Sequence, residues 1–218
     1  MKNAITLIAV AGIASSAVAS LTITEVYTGL SGEDGTSDWI EVTNTGTTTI
    51  DTGNFFYDDS NPNLGDAGQL DSIILAAGHS AIFLEDDEAA DDTTYANSIV
   101  EFQSIWNYSG PIGLTNGGGG LSNGSADSAN LLDNGGTVLS TAAYTAGQAG
   151  GLATIDFTSG TGVISSLGVN GAFLSNAFFN DNLGVPGDSV QIVGSPVPAP
   201  GALALVALGG IAGVRRRR

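Results

Sequence analysis

Cysteine is missing from this chain of 218 residues. Disulfides and thiolate metal sites are therefore excluded, and an exported body must hold together by packing alone. Positive charge is nearly missing as well: the five basic residues are Lys2 and Arg215 to Arg218, with no Lys or Arg from Asn3 to Val214. Such a body cannot displace the counterions of a phosphate backbone, which excludes nucleic acid as a partner. The single histidine, His79, has no cysteine with which to build a typical zinc site. Long amphipathic periodicity is lacking too, so helix is expected only at the termini.

What the chain has is acid, glycine and short β-branched runs. All 22 Asp and Glu residues fall between the basic ends, so the formal charge of −17 becomes −22 once both ends are removed. An acidic surface of this kind stays soluble in salty surroundings, gathers cations and resists self-association. Thirty-two glycines with many Thr, Ser and Asn indicate an all-β body of many short strands. Its length of about 175 residues suits one domain with a real core.

Both ends have the composition of processing signals. Residues 1–19 combine Lys2, an apolar stretch from Ala4 to Ala14, and the small pair Ala17 and Ala19 flanking Val18. That is the pattern of a helical secretory signal peptide, too short in its apolar part to span a membrane. Residues 196–218 run from Pro198-Ala199-Pro200 through the apolar segment Gly201 to Val214 into Arg215, Arg216, Arg217 and Arg218. The apolar segment is expected to form a short helix whose arginines stay on the cytoplasmic side. The tripartite tail resembles the PEP-CTERM sorting signal of Gram-negative bacteria, with Ala199 where that signature usually has an acidic residue. The resemblance implies export, transient inner-membrane anchoring, and recognition by an exosortase-like enzyme. Cleavage near Pro198 to Pro200 would then release the body to the cell surface or extracellular matrix.

The body, residues 20–195, is organised around two runs, Leu21 to Tyr27 and Asp38 to Thr43, both β-branched and aromatic with period-two alternation. Further strands are expected at Thr47 to Ile50, Asn54 to Asp58, Ser72 to Leu75, Ser80 to Leu84 and Ser98 to Phe102. Asp133-Asn134-Gly135-Gly136 marks a hairpin between Asn130 to Leu132 and Thr137 to Ser140. Thr115 to Gly120 is expected to be a flexible crossing, and weaker strands follow at Thr154 to Phe157, Gly162 to Ile164 and Ser189 to Val193.

Ile23-Thr24-Glu25-Val26, Asp38-Trp39-Ile40-Glu41-Val42-Thr43-Asn44-Thr45-Gly46, Ile82-Phe83-Leu84 after Ala77-Gly78, and Leu131-Leu132-Asp133-Asn134-Gly135-Gly136 occur in an order that resembles the lamin-tail domain. The resemblance covers Leu21 to about Tyr144 and implies an immunoglobulin-like antiparallel β-sandwich. It implies a noncatalytic role in binding, display or assembly, with an extracellular polysaccharide or surface protein as candidate partner.

Within a regular first strand, Glu25 would share a face with Leu21, Ile23 and Tyr27. No basic side chain is available to it, so its carboxylate is expected to rest on backbone and aromatic donors, with a bound cation or a retained proton as alternatives.

Chemistry elsewhere is sparse. Gly120-Leu121-Ser122-Asn123-Gly124 matches G-x-S-x-G, but the flanks are not strand and helix and the only His precedes the Ser, so a hydrolase is not expected. No cofactor is expected beyond a weak calcium site of the millimolar kind found in extracellular modules. The candidate ligands for it are Asp59, Asn61 and Asn63 in one loop, and Glu85, Asp86, Asp87, Glu88, Asp91 and Asp92 in another. The rival to a passive display module is a calcium- or glycan-binding adhesion module, for which Trp106 and Tyr108 on an open face would speak.

Overall fold

The computed structural model describes residues 20–30, 38–85, 94–179 and 189–196. The segments assigned from sequence to a signal peptide and to the apolar sorting tail lie outside them. In chain order the elements are β1 (Leu21–Tyr27), β2 (Trp39–Asn44), β3 (Ile50–Asp51), β4 (Phe55–Asp58), β5 (Gly68–Gln69), β6 (Ile74–Leu75) and β7 (Ser80–Leu84). Helix α1 (Thr94–Trp106) follows, then β8 (Ile112–Leu114), β9 (Asp127–Asp133), β10 (Val138–Tyr144), β11 (Ile155–Asp156) and β12 (Val163–Ile164). The chain continues through β13 (Phe173–Leu174), β14 (Phe178–Phe179), β15 (Ser189–Val190) and β16 (Val193–Gly194).

The strands form a six-stranded sheet in the order β12-β11-β1-β2-β7-β8 and a four-stranded sheet in the order β10-β9-β4-β5, with small two-stranded ladders beside them. This is a mostly β body of sandwich type, as expected from the composition. Alternation along the strands explains the layering. Leu21, Ile23 and Val26 of β1, Ile40 and Val42 of β2, and Ala81 and Phe83 of β7 join Tyr57, Ala129, Leu131, Ala142 and Tyr144 in one buried cluster. Period two brings alternate residues of each strand to the same face, and burying each large aliphatic side chain contributes roughly 1.5–3 kcal/mol.

The helix is the main departure from expectation. The segment Ser98 to Phe102, read as a strand because of its β-branched Ile99 and Val100, belongs to α1, and helix is not confined to the termini. Half-buried Ile99 and buried Phe102, Ile105 and Trp106 recur at helical spacing, whereas Val100 faces solvent. Topology supplies the reason. β7 and β8 are parallel neighbours, and a parallel pair needs a crossover, which here contains α1.

The six-stranded sheet is consequently covered on its second face too. Tyr27, Trp39, Ile82 and Leu84 point outward from it into a second buried cluster with Phe102, Ile105, Trp106, Tyr108, Val190 and Ile192. Trp39 is the hub, with ring centroids 5.5 Å from Phe102 and 5.9 Å from Trp106, both edge-on. Phe173 packs edge-on to Trp106 at 5.7 Å. Residues 189–196, which carry Val190 and Ile192, thus form a strap over this outer face.

The fold refines three local expectations. The strands expected at Ser72 to Leu75 and Ser80 to Leu84 form, the first over Ile74–Leu75 alone, and they join different partners: β6 lies against β3, whereas β7 pairs with β2 and β8. Thr47 to Thr49 are exposed and only Ile50–Asp51 is strand. Thr115 to Gly120 is a packed crossing, in which Thr115 is buried and the Gly118 carbonyl accepts the Asp59 amide at 2.9 Å. Gly118 has φ +96°, and a Cβ there would overlap the Tyr57 carbonyl, so glycine permits the close approach. The β9–β10 hairpin forms as expected, with Gly136 at φ +80°.

Candidate functional site

Glu25 does not share the inner face. The β1–β2 ladder shifts register between Ile23 and Glu25, and this bulge turns Glu25 and Tyr27 outward while Val26 takes the inner position. The shift also makes Glu25 the direct cross-strand partner of Glu41. Both are buried, 1% and 5% exposed respectively. Two carboxyl groups therefore lie on adjacent strands under a roof formed by later parts of the chain.

The donors to Glu25 are hydroxyls and one amide rather than aromatics. Thr154 donates its hydroxyl to Oε1, the Ser195 amide donates to the same oxygen at 2.7 Å, and the Ser195 hydroxyl lies 3.3 Å from Oε2. Thr154 is further bonded to the Ser165 hydroxyl at 2.7 Å. Glu41 accepts from the Thr24 hydroxyl at 2.6 Å through Oε1, while its buried Oε2 has no hydrogen-bond partner. Burial pushes the Glu25 carboxyl up to about 7 against the lowering effect of its Thr154 and Ser195 bonds, with Asp156 adding to the rise. Burial first, and then the neighbouring Glu25 charge, hold the Glu41 carboxyl well above the usual carboxylate range.

A second buried carboxylate lies at one end of the sandwich. Glu85, expected from sequence in an acidic loop as a candidate calcium ligand, directly follows β7 and is 6% exposed. It accepts the Tyr57 hydroxyl and, through Oε2 at 2.9 Å, the Leu121 amide. Its carboxylate oxygens are thereby engaged in tying β4 and the crossing before β9 to the end of β7. Burial and the nearby Glu85 charge push the Tyr57 phenol well above its ordinary value. Tyr144 donates to the Ser122 carbonyl at 3.1 Å, and the Asp127 carboxylate accepts the Ser122 amide at 3.0 Å.

Of the other calcium candidates, only Asp59, Asn61 and Asn63 lie among the described residues, and they form no metal-holding group with Glu85. Asp59, raised by burial and by Asp127 and Asp58, sits in the turn after β4 with exposed Asn61 and Asn63. Asn63 is committed locally: its Oδ1 accepts the Gly65 amide, and its side-chain amide donates to Asp66 at 2.7 Å. Asp86, Asp87, Glu88, Asp91 and Asp92 lie outside the described residues, as do Ala17, Ala19, Pro198, Ala199, Pro200 and Arg215 to Arg218. Among the described residues no group of three or more His, Asp or Glu is placed to hold a metal ion.

The G-x-S-x-G match is a turn. The Ser122 hydroxyl pairs with that of Ser125 at 2.7 Å, and exposed His79 sits in the turn before β7. Trp106 and Tyr108, the residues that would make an open aromatic platform, are 4% and 6% exposed.

A shallow polar cleft of about 350 Å³ is lined by Asp51, Gly53, Asn54, Gln69, Leu70, Asp71, Ser72 and Asn116. Its side chains largely serve one another. Asp51 accepts from Gly53 and Ser72, Asp71 accepts from Leu114 and Asn116, and Gln69 donates to the Gly53 carbonyl. The cleft acts as a clasp between the β3–β4 turn and the segment before β6.

Sequence reasoning missed Glu41, because alternation places it with Trp39 and Thr43 on what an ordinary two-layer sandwich would leave to solvent. The signal was Trp39 itself, a large aromatic on the same face as the carboxylate.

Comparison with known families matches residues 14–146 to the Lamin Tail Domain, more than half of the 218 residues. No curated protein and no solved structure matches the chain.

Proposed function

The chain belongs to the Lamin Tail Domain family, a non-enzymatic immunoglobulin-like fold, and from that premise we propose that it is a noncatalytic display or structural module of the cell surface or extracellular matrix. It is exported by its N-terminal signal peptide, held transiently in the inner membrane by its C-terminal segment, and released by an exosortase-type enzyme. The observation that carries this reading is the segregation of charge. Basic residues are confined to Lys2 and Arg215 to Arg218, the segments that processing would remove, and all 22 acidic residues lie in the part that would remain. A positive-inside tail needs its arginines, whereas a body bound for a saline exterior does better without them.

The internal polar bonding supports a passive scaffold. Glu85, Asp51 and Asp71 accept hydrogen bonds from the protein's own backbone and side chains, and the rings of Trp106 and Tyr108 pack into the outer cluster. An adhesion module would need such groups turned toward a ligand.

Mass spectrometry of the protein recovered from surface and extracellular fractions tests the reading. The expected polypeptide begins at Ser20 and ends near Pro198 to Pro200. Recovery in the cytoplasmic membrane with Arg215 to Arg218 still attached would contradict it.

A further inference from the structure

We propose that Glu25, paired across the β1–β2 ladder with Glu41 and roofed by Thr154 and Ser195, is a proton-operated latch that fastens the C-terminal strap to the outer face of the six-stranded sheet. The idea stands on placement. Ser195 follows β16 directly, and both its amide and its hydroxyl bond to Glu25. Upstream, the strap is tied by the Thr154 amide to the Val193 carbonyl at 2.9 Å and by the Ser175 amide to the Ile192 carbonyl at 2.8 Å. Gly194 is pressed so closely that a Cβ would lie 2.7 Å from Thr154 Cγ2 and 2.8 Å from Trp106. The strap therefore cannot lift from Glu25 without admitting water to the carboxyl pair and to the edge of the aromatic cluster.

Among the described residues, every charged group facing the pair has the same sign. Glu41 faces Glu25 from β2, and Asp156 pairs with it from β11 on the other side. From the neighbouring elements come the neutral hydroxyls of Thr24, Thr154, Ser165 and Ser195. The Tyr108 phenol, which follows α1, is near enough for the Glu41 charge to raise it. His79 is in a different turn and exposed, and no Lys or Arg exists between residues 3 and 214. A buried carboxyl with no basic partner is most stable neutral, so the closed strap retains a proton that the open strap releases.

The sign follows from linkage. The Glu25 carboxyl is raised to about 7 when covered, against an ordinary value of 4.5. A raised carboxyl favours the closed form fully below the ordinary value and loses that advantage as pH climbs through 7. The open population should rise on the order of tenfold per pH unit between about 5 and 7, toward a ceiling on the order of 300-fold. The latch is independent of how the tail is processed, because every group in it lies within residues 24–195.

Hydrogen exchange on the full-length chain, corrected for intrinsic rates, tests this at the Val193 and Ser195 amides between pH 5 and 8. Expected is a steep gain in opening at these amides while the Leu131 amide in β9 stays closed on the same timescale, and a markedly shallower profile in Glu25→Gln, in which Glu41 alone still releases a proton on opening. A flat wild-type profile, or a Glu25→Gln profile as steep as wild type, overturns the latch. So does a wild-type profile flattened by millimolar calcium, which would make a metal ion, not a proton, the neutralising species. Should Glu25→Gln fail to fold, the wild-type urea midpoint still decides: it must fall from pH 5.5 to pH 8, and a rise overturns the proposal.

Discussion

The two faces of the six-stranded sheet are built on opposite principles. The inner face, against β9 and β10, is filled by apolar side chains, mostly aliphatic ones such as Ile23, Val42, Leu131 and Ala142 with the rings of Tyr57, Phe83 and Tyr144 among them, and alternation along the strands accounts for it. The outer face carries rings and acids, with Trp39 and Trp106 at one part and the Glu25–Glu41 pair at another. The inner face is secured by the pairing of two sheets. The outer face depends on a helix and a strap contributed by segments late in the chain. The same sheet thus has one side that only stabilises and one whose hold depends on conditions.

Removing the hub of each side compares them directly. Trp39→Ala should cost about 3–5 kcal/mol and Leu131→Ala about 2–5 kcal/mol in urea denaturation, the usual range for large-to-small core changes. A loss below about 1 kcal/mol for Trp39→Ala would mean the helix and strap merely rest on the sheet. Next in size is pH. With the Glu25 carboxyl raised to about 7, its neutral form favours the fold and that advantage fades as pH rises. Unfolding free energy should therefore be lower at pH 8.5 than at pH 5.5 by about 2 kcal/mol, and Glu25→Gln should remove most of the difference.

Tyr57→Phe should cost about 1 kcal/mol, because Glu85 loses its phenol donor but keeps the Leu121 amide. The smallest effects are expected at the two sequence motifs that resemble catalytic parts. His79→Ala and Ser122→Ala should each change stability by less than about 0.5 kcal/mol, and neither should alter hydrolysis of a generic ester by the protein. A loss of esterase activity in Ser122→Ala would reopen the hydrolase reading.

How much of this was legible in the sequence divides along the same line. β1, β2, β7 and the β9–β10 hairpin follow from period-two alternation and from Gly135-Gly136, and these elements supply much of the inner core. The outer layer is only partly legible in local pattern. Ile99 and Val100 read as strand because β-branched residues favour strands, although Ile99, Phe102, Ile105 and Trp106 recur at helical spacing, and the crossover of the parallel β7–β8 pair accommodates a helix. Glu25 was placed on the wrong face because a bulge of one residue inverts parity and leaves no compositional mark. Its actual donors, Thr154 and Ser195, are 129 and 170 residues away, beyond any local pattern. Trp39, with Ile82 and Leu84 of β7 on the same face as Glu41, carries the size that shows this face is covered.

Because the only two tryptophans of the chain, Trp39 and Trp106, both sit in the outer cluster, quenching of tryptophan fluorescence by acrylamide reports on that face alone. With the outer face sealed by helix and strap, native emission should be quenched several-fold less efficiently than in urea. Quenching equal to that of the unfolded chain would mean an open aromatic face, and would favour a ligand-binding module over a passive one.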